Sequence, residues 1–379
     1  MKFNFYFLDF PETRALFTVL EKHGIEARFV GGCVRDGLLG MTTDDLDLAV
    51  NSDIESVKKI LEANGIGCLD TGIKYGSITV FVDKRKFEIT SLRIDEECFG
   101  RDCTILETSD FEEDARRRDF TINAIYSSRS GEICDYFGGI EDLRNKCVRF
   151  IGDPTERIQE DALRIFRYYR MCAKFGDLSN RYHEILKNRA DDVRKISIER
   201  IQKELFIILM SDYSFEIIRF MIEVGILHRI FPSINENKLH EITRSNLSIE
   251  GRLYLLFDTT ESLKTLKLTR KYKSKIMEYK KFEGETPLYI LYKKGSDFLS
   301  EMREINRIKN GIDMPEPDIS SDQFPKFPVT FADLPPGTKD AQKKLNECEK
   351  WWANTEFQKN KDACMEYIER LDCRNDWNK

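Results

Sequence analysis

Two aspartates that lie two positions apart, in the stretch DDLDL, are the residues best suited to chemistry. If this stretch is a strand, Asp45 and Asp47 point to the same face of the sheet, because side chains alternate along a strand. Two carboxylates that meet at one place repel each other unless a cation lies between them. Hard oxygen ligands suit Mg²⁺, which keeps part of its water shell and shares the phosphate oxygens of a substrate. The pattern therefore predicts a magnesium site for a phosphate-bearing ligand.

A glycine pair and an arginine lie just upstream of the aspartates, in VGGCVRDGLLG. Gly31 and Gly32 have no side chain, so the backbone can come close to a ligand and offer N–H groups to an anion. Arg35 adds a positive charge that is not lost by titration. A lone Gly-Gly or a lone aspartate pair usually marks a bend or a solvated turn, but their combination at this spacing is far more specific. The segment 30–48 therefore predicts a place that holds a metal-bound polyphosphate.

A third candidate is IQEDALRIFRYYR, at 158–170, which we predict to be one continuous helix with a buried apolar face. On its other side four charged residues follow in steps of three, namely Asp161, Arg164, Arg167 and Arg170. An aspartate only accepts hydrogen bonds and an arginine only donates them, and we expect Asp161 and Arg164 to fix each other. Cytosine and adenine both present an amino donor beside a ring-nitrogen acceptor, whereas guanine and uracil present the reverse order. The pair is thus suited to accept C and A without a template; the alternative is a surface ion pair worth ~0.3 kcal/mol.

Five motifs follow one another along the first half of the chain. They are GGxVRDxLLGxxxxDxD from residue 31, RRDFTINA at 117–124, DYFGGIEDL at 135–143, EDALR at 160–164 and ISIERI at 196–201. In these motifs and in their order the chain resembles the class II tRNA nucleotidyltransferases, or CCA-adding enzymes, and the bacterial poly(A) polymerases, within the DNA polymerase β superfamily. Five motifs in one order are too specific a pattern for coincidence.

The resemblance implies a role for each candidate residue. Asp45 and Asp47 are expected to hold two metal ions, one that activates the 3′-hydroxyl of the RNA and one that holds the triphosphate. Glu88, in the returning strand of a predicted hairpin, is either a third carboxylate near the metals or a solvated strand residue. The base of CTP or ATP is expected to be recognised by Asp161 and Arg164. The complete set of implied nucleotide contacts is Gly32, Arg35, Arg118, Asp119, Asn123, Asp161, Arg164, Arg167 and Arg170.

The substrate implied by the resemblance is the 3′ end of tRNA, to which such enzymes add CCA from CTP and ATP. The polar segment 92–111 has no clear periodicity and, by the resemblance, corresponds to the flexible loop of full CCA-adding enzymes. It keeps the pattern R-x-D-x4-G-R as Arg93, Asp95, Gly100 and Arg101. This intact pattern favours addition of all three nucleotides. The alternatives are a poly(A) polymerase, a relative that adds only CC or only A, and an RNA-binding protein without enzymatic activity. The intact aspartate pair argues against the last.

Composition indicates a soluble globular protein of a reducing compartment. The 379 residues are 33% charged and 41% apolar, with a net charge of −6. No apolar run approaches the ~20 residues that a membrane-spanning helix needs, and the N-terminal segment lacks the clean apolar core of a signal peptide. The ten cysteines form no C-x-x-C pair, which argues against zinc. We therefore predict a cytoplasmic protein in which a local basic surface binds RNA.

The elements and the resemblance together predict an α+β fold, with a polymerase-β-like nucleotidyltransferase head that contains a small mixed sheet, followed by an all-helical neck, body and tail. Alternation in GSITVFVDKRKFEIT predicts a strand pair, and after residue 154 the apolar spacing is helical almost throughout. The predicted boundaries are 1–140 for the head, 141–210 for the neck, 211–285 for the body and 286–379 for the tail.

Two stretches of the C-terminal half are candidates for RNA contact. KLTRKYKSKIMEYKKF, at 267–282, is a basic helical run with Tyr272 and Tyr279 interleaved, which suits contact with RNA as well as it suits a solvated helix face. In KKLNECEKWWANTEF we expect Trp351 and Trp352 to pack in a core. We expect the tail to bind tRNA, but the sequence assigns this role to the region and to no particular residue.

Overall fold

The structure is a computed structural model that describes residues 1–99, 102–257, 260–319 and 324–375. Gly100 and Arg101, which complete the pattern of the predicted loop, lie outside the described residues. The chain divides into two compact units, Met1–Pro232 and Ser233–Lys379. The finer division into head, neck, body and tail stays a prediction.

The first unit contains a seven-stranded mixed sheet and a separate two-stranded pair. Its strands are β1 (Ala27–Val30), β2 (Leu46–Val50), β3 (Gly67–Gly72), β4 (Ser77–Val82), β5 (Arg85–Ser91), β6 (Arg93–Phe99), β7 (Asp102–Glu107), β8 (Ile125–Ser127) and β9 (Ile133–Asp135). The order in the large sheet is β3-β4-β5-β2-β1-β8-β9, in which only β2 and β5 are parallel. The strand that carries Asp47 therefore lies in the middle of the sheet.

The strand pair predicted from alternation is confirmed as β4 and β5. The two strands are antiparallel, with Val82 opposite Arg85, and the turn residue Asp83 has a positive φ of 52°. Ile78 and Val80 are buried, as period-two alternation requires.

The segment 92–111, which corresponds to the predicted flexible loop, is largely a regular strand pair. β6 and β7 are antiparallel, with Arg93 opposite Glu107 and Ile94 opposite Leu106. A separate two-stranded pair satisfies backbone N–H and C=O groups without burying a whole face, so its sequence need not alternate. For this reason hydrophobic periodicity did not predict it.

Helices cover both faces of the large sheet. The helices of the first unit are α1 (Pro11–Lys22), α2 (Gly32–Leu38), α3 (Ile54–Ala63), α4 (Phe111–Arg116), α5 (Gly139–Arg144), α6 (Pro154–Glu160), α7 (Leu163–Phe175), α8 (His183–Asn188), α9 (Ile198–Leu209) and α10 (Ser214–Glu223). Along β2, Leu48 belongs to the apolar core that includes α1 and α3, whereas its neighbour Ala49 belongs to a second core with Phe111 and Tyr126. Asp47 therefore faces the side of the second core.

The segment 158–170 forms two helices instead of one, which corrects the prediction. α6 ends at Glu160, Asp161 is extended with φ −145° and ψ 106°, and α7 begins at Leu163. The carboxylate of Asp161 accepts the backbone N–H of Leu163 at 3.0 Å. Aspartate commonly bonds the backbone two residues on in turns, and this local bond competes with continuation of the helix.

In the second unit the described regular elements are helices, as the sequence predicts. They are α11 (Leu239–Arg244), α12 (Ile249–Leu256), α13 (Thr260–Thr265), α14 (Arg270–Phe282), α15 (Pro287–Lys294), α16 (Ser296–Asn310), α17 (Ala341–Asn354) and α18 (Lys361–Asn375). Trp352 is buried in a core with Cys348 and Cys364, and Trp351 stacks on Tyr367 with ring centroids 4.4 Å apart. The predicted packing role of the two tryptophans is thus confirmed. Within the described part of the chain, no helix has both the length and the apolar character needed to cross a membrane.

The basic run predicted to contact RNA forms α14, but part of it faces inward. Tyr279 is fully buried and its hydroxyl donates to Glu301. The ammonium of Lys275 lies 2.9 Å from the same carboxylate, whereas Lys271 and Lys273 are exposed. The prediction that Tyr279 interleaves with surface cations is therefore wrong, since this side chain belongs to the core.

Candidate active site

A cavity of about 880 Å³ in the first unit brings together every site residue predicted from the sequence. Parts of β2, α2, α7 and α9 form its wall, together with the turn around Asp119. Nine basic and six acidic side chains line it, so the cavity is locally basic in a chain of net charge −6. The predicted residues that line it are Gly32, Arg35, Asp45, Asp47, Arg118, Asp119, Asn123, Asp161, Arg164, Arg167 and Arg170.

Asp45 and Asp47 line this cavity at the start of β2. Asp47 is the register partner of Glu88 in the parallel neighbour β5. Burial, with the added charge of Glu88, raises the pKa of Asp47 to about 6. Glu88 itself is exposed and forms an ion pair with Lys86 at 2.6 Å. Its register places it beside Asp47, while its ion pair with Lys86 matches the solvated alternative.

The donor set of Asp45 and Asp47 fits a divalent cation. Carboxylate oxygens are hard ligands. Burial is the main cause of the raised pKa of Asp47, and a cation would relieve the repulsion from Glu88 and Asp45 that adds to it. Among the residues that the structure describes, no group of three or more His, Cys, Asp or Glu side chains could hold a metal by itself. Water and phosphate oxygens would therefore complete the coordination, as is usual for Mg²⁺.

Gly31, and not only Gly32, is required by the geometry of the turn before α2. Its φ of +75° and ψ of −129° lie in a region that other residues essentially do not adopt. A Cβ placed there would lie 3.8 Å from Nη1 of Arg118 and 3.9 Å from Oδ2 of Asp47. The missing side chain thus leaves open the space between the guanidinium of Arg118 and the carboxylate of Asp47.

A chain of hydrogen bonds joins four of the predicted residues. Arg35 donates to the side-chain oxygen of Asn123, whose amide nitrogen donates to Asp119 at 2.9 Å. Arg167 donates to the other oxygen of Asp119 at 2.7 Å. Burial alone would raise the pKa of Asp119, but Arg167 and Asn123 outweigh it and hold that pKa well below its usual range. Hydrogen bonds between charged and polar side chains therefore link α2, the turn around Asp119 and α7.

The side chains of Asp161 and Arg164 do not pair, which corrects the predicted pairing, although the backbone N–H of Arg164 donates to the carbonyl of Asp161 at 3.0 Å. Asp161 accepts from Nη2 of Arg200 at 2.7 Å, and Nη1 of Arg164 lies 3.0 Å from Oε2 of Glu160. The physical reason is the break between α6 and α7, because an extended Asp161 no longer has the helical i,i+3 relation to Arg164. Both side chains still line the same cavity.

Arg170 lines the cavity while it is held in an ion pair. Its Nε lies 2.6 Å from the buried carboxylate of Glu204 on α9. With Arg167 bound to Asp119 in the same way, these two of the five arginines predicted to contact the nucleotide are fixed in position by the protein.

Several residues of the cavity were not among the predicted ones. Glu160 and Arg200 belong to the EDALR and ISIERI motifs, so attention to every charged member of a motif would have found them. Asp36, beside Arg35 in the first motif, accepts from Lys174 at 2.8 Å. No sequence signal marks Lys174, which reaches the cavity only because α7 packs beside α2.

Comparison with known families gives two matches, one after the other along the chain. Residues 27–149 match the Poly A polymerase head domain. Residues 178–238 match the family described as the probable RNA and SrmB- binding site of polymerase A.

Two relatives and one solved structure extend the similarity. The chain is 36% identical to the mitochondrial CCA tRNA nucleotidyltransferase 1 of Mus musculus over 257 residues, 64% of this chain but only 59% of that relative. It is 29% identical to the protein of the same name from Homo sapiens, over 96% of this chain and 93% of the relative. The CCA-adding enzyme of Bacillus stearothermophilus, solved in complex with CTP, superposes with a TM-score of 0.76 at 23% identity and covers 97% of this chain and 99% of its own. The predicted fold, a mixed-sheet head with a helical remainder, is thereby confirmed.

Proposed function

We propose that this chain, which is similar to CCA tRNA nucleotidyltransferases and matches the Poly A polymerase head domain, belongs to the tRNA nucleotidyltransferase and poly(A) polymerase family and adds CCA to the 3′ end of tRNA from CTP and ATP. The observation that carries the proposal is the cavity of the first unit, where the residues of separate motifs meet around Asp47. Addition without a template needs carboxylates for metal, cations for a triphosphate and a donor–acceptor pair for the base. Side chains of all three kinds line this one cavity.

In the proposed reaction the 3′-oxygen of the tRNA attacks the α-phosphorus of the bound triphosphate. A phosphodiester bond forms, the bond to the oxygen that bridges to the β-phosphate breaks, and pyrophosphate leaves with that electron pair while the hydroxyl proton passes to solvent. Asp45 and Asp47 would hold Mg²⁺ ions, which when bound activate the attacking hydroxyl and neutralise charge on the leaving group. Arg35 and Arg118 would orient the triphosphate, a contribution of position and charge.

Asp161 and Arg164 would recognise the base while each keeps its present partner. Each oxygen of an ionised carboxylate can accept a second hydrogen bond, so Asp161 retains acceptor capacity beside Arg200. Arg164 has five N–H donors, of which Glu160 and the carbonyl of Arg117 engage a part. The carboxylate would accept from the exocyclic amine of C or A, and the guanidinium would donate to the ring nitrogen. Uracil or guanine would instead place a carbonyl oxygen against the carboxylate.

A second candidate within the family is a poly(A) polymerase, because the head segment matches a family of that description. A relative that adds only CC or only A is the third. The retained β6–β7 pair supports addition of all three nucleotides, since Arg93 of this pair lines the cavity.

One experiment separates these candidates. The chain is incubated with tRNA that lacks its 3′ CCA and with CTP, ATP, GTP or UTP, each alone and all together, and the products are sequenced. We expect CC with CTP alone, CCA with CTP and ATP, and no addition of G or U. A run of A residues from ATP alone would favour a poly(A) polymerase, and no addition under any condition would contradict the proposed function.

The compartment stays a prediction. The composition predicts the cytoplasm, whereas the mouse and human relatives carry mitochondrial names.

A further inference from the structure

The acidic side chain that holds Arg118 was not singled out by any motif. Asp114 lies on α4, and its carboxylate is completely buried. We propose that Asp114 is a positioning residue that fixes the guanidinium of Arg118 in the orientation needed to bind a nucleoside triphosphate. This inference rests on the proposed function, because it assumes that the cavity binds such a ligand.

The contacts of Asp114 leave one edge of Arg118 facing the site. Nε and Nη2 of Arg118 donate to Oδ2 of Asp114 at 3.3 and 3.0 Å, and Nε also donates to the hydroxyl of Tyr126 at 3.0 Å. That hydroxyl donates back to Oδ2 of Asp114 at 2.6 Å. Nη1 is on the remaining edge, and it is this atom that lies 3.8 Å from a Cβ built on Gly31. The guanidinium therefore presents Nη1 to the glycine turn and to the neighbouring Asp47.

Asp114 is a permanent anion. Burial alone would raise the pKa of Asp114, but Arg118, Arg117 and the Tyr126 hydroxyl outweigh it and hold that pKa well below its usual range. Its second oxygen accepts from Arg117 at 2.8 Å, so both oxygens of the buried carboxylate have partners, as burial of a charge requires. An arginine side chain has many rotamers, and a fixed anion that binds one edge of its guanidinium removes most of them before the ligand arrives.

A second buried carboxylate separates this role from a structural one. Asp142 also pairs with an arginine, Arg149 at 2.8 Å, and accepts from the hydroxyl of Thr121. None of these three residues lines the cavity. Asp142→Asn therefore removes the charge of another buried carboxylate without touching Arg118; its partner Arg149 is 44% exposed.

The test measures equilibrium binding of CTP and the KM for CTP, with folding checked by thermal unfolding. Asp114→Asn keeps the shape of the side chain but removes the charge, and we expect the Kd and KM for CTP to rise at least tenfold. Asp142→Asn is expected to lower the Tm and to leave the KM within twofold. If Asp114→Asn lowers the Tm but binds CTP like the unmodified chain, the inference is overturned.

A double-mutant cycle tests whether Asp114 acts through Arg118. Arg118→Ala should weaken CTP binding, and the combination with Asp114→Asn should weaken it by no more than a further twofold, because the positioned group is already absent. Independent, multiplicative losses would contradict the inference.

If Asp114→Asn does not fold, Tyr126→Phe is the deciding variant: a KM for CTP raised two- to fivefold supports the inference and an unchanged KM overturns it. Failure of the unmodified chain to bind CTP would instead reject the proposed function.

Discussion

At the scale of single residues, the cavity holds its charged side chains in a small number of fixed pairs. Arg167 is bound to Asp119 and Arg170 to Glu204, with Arg200 bound to Asp161. Such pairs orient long side chains before a ligand binds, so less freedom is lost on binding. A charged ligand would therefore bind to arginines that already form ion pairs with carboxylates of the protein. We therefore expect individual substitutions to change selectivity and orientation as well as affinity.

Arg164→Ala tests the proposed recognition of the base. Removal of Arg164 leaves the ring nitrogen of C or A without its proposed donor, and a mismatched hydrogen-bonding pattern normally costs ~1–3 kcal/mol. We expect the preference for CTP over UTP to fall at least tenfold, beyond any general loss of rate, as measured by kcat/KM for each triphosphate. Arg189→Ala is the control, because Arg189 forms an ion pair with Asp192 at 2.7 Å and does not line the cavity. If all four triphosphates slow by one common factor in Arg164→Ala, this pair does not select the base.

Gly31→Ala tests the importance of the turn before α2. The backbone at Gly31 is in a region that costs other residues roughly 1–3 kcal/mol, and the new methyl group would enter the space between Arg118 and Asp47. We expect both a lower Tm and a loss of nucleotide addition of at least tenfold at a temperature where the variant is folded. Gly24 also has a positive φ, of +72°, but a Cβ there meets no atom within 4 Å. Gly24→Ala should therefore lower the Tm without loss of addition; equal activity in the two variants would contradict this account.

At the scale of elements, sequence patterns predict buried structure better than they predict exposed structure. Alternation found β4 and β5 because Ile78 and Val80 pack in a core, and helical spacing found the helices of the second unit for the same reason. The β6–β7 pair was missed because its pairing needs no continuous apolar face. The end of α6 was missed because a single local bond, from Leu163 to Asp161, decides it. The sequence was enough to place the motif residues in one cavity. It was not enough to predict which side chains pair there, since the pairing depends on the break between α6 and α7.

The exposed side of α14 is where we expect RNA to bind. Lys271 and Lys273 are exposed, whereas Lys275 is paired with Glu301. Replacement of Lys271 and Lys273 by Gln should weaken tRNA binding and flatten its log–log dependence on salt by about 0.7 to 0.9 for each RNA phosphate that is no longer neutralised. Lys275→Gln should change stability and leave that slope unaltered. The same slope in the double variant as in the unmodified chain would remove α14 from the RNA surface.

At the scale of the whole molecule, we expect RNA affinity to extend beyond the cavity, to the segment 178–238 that matches an RNA-binding family and to the helix α14. The first unit contains the cavity with Asp45 and Asp47, while the exposed basic helix α14 belongs to the second unit. A chain of net charge −6 can bind RNA because affinity depends on local basic surface and not on the total. Loss of the metal carboxylates should therefore stop the reaction without removing the RNA.

The most direct test of this account compares nucleotide addition and tRNA binding in Asp45→Ala and Asp47→Ala. The control is Asp44→Ala, which removes an exposed neighbouring carboxylate that does not line the cavity. With labelled tRNA that lacks CCA, we expect no measurable addition in the Asp45 and Asp47 variants, a tRNA Kd within a few fold of the unmodified chain, and normal addition in Asp44→Ala. Addition that persists in either of the first two variants, or tRNA binding that is lost together with activity, would contradict the assignment of this cavity as the active site.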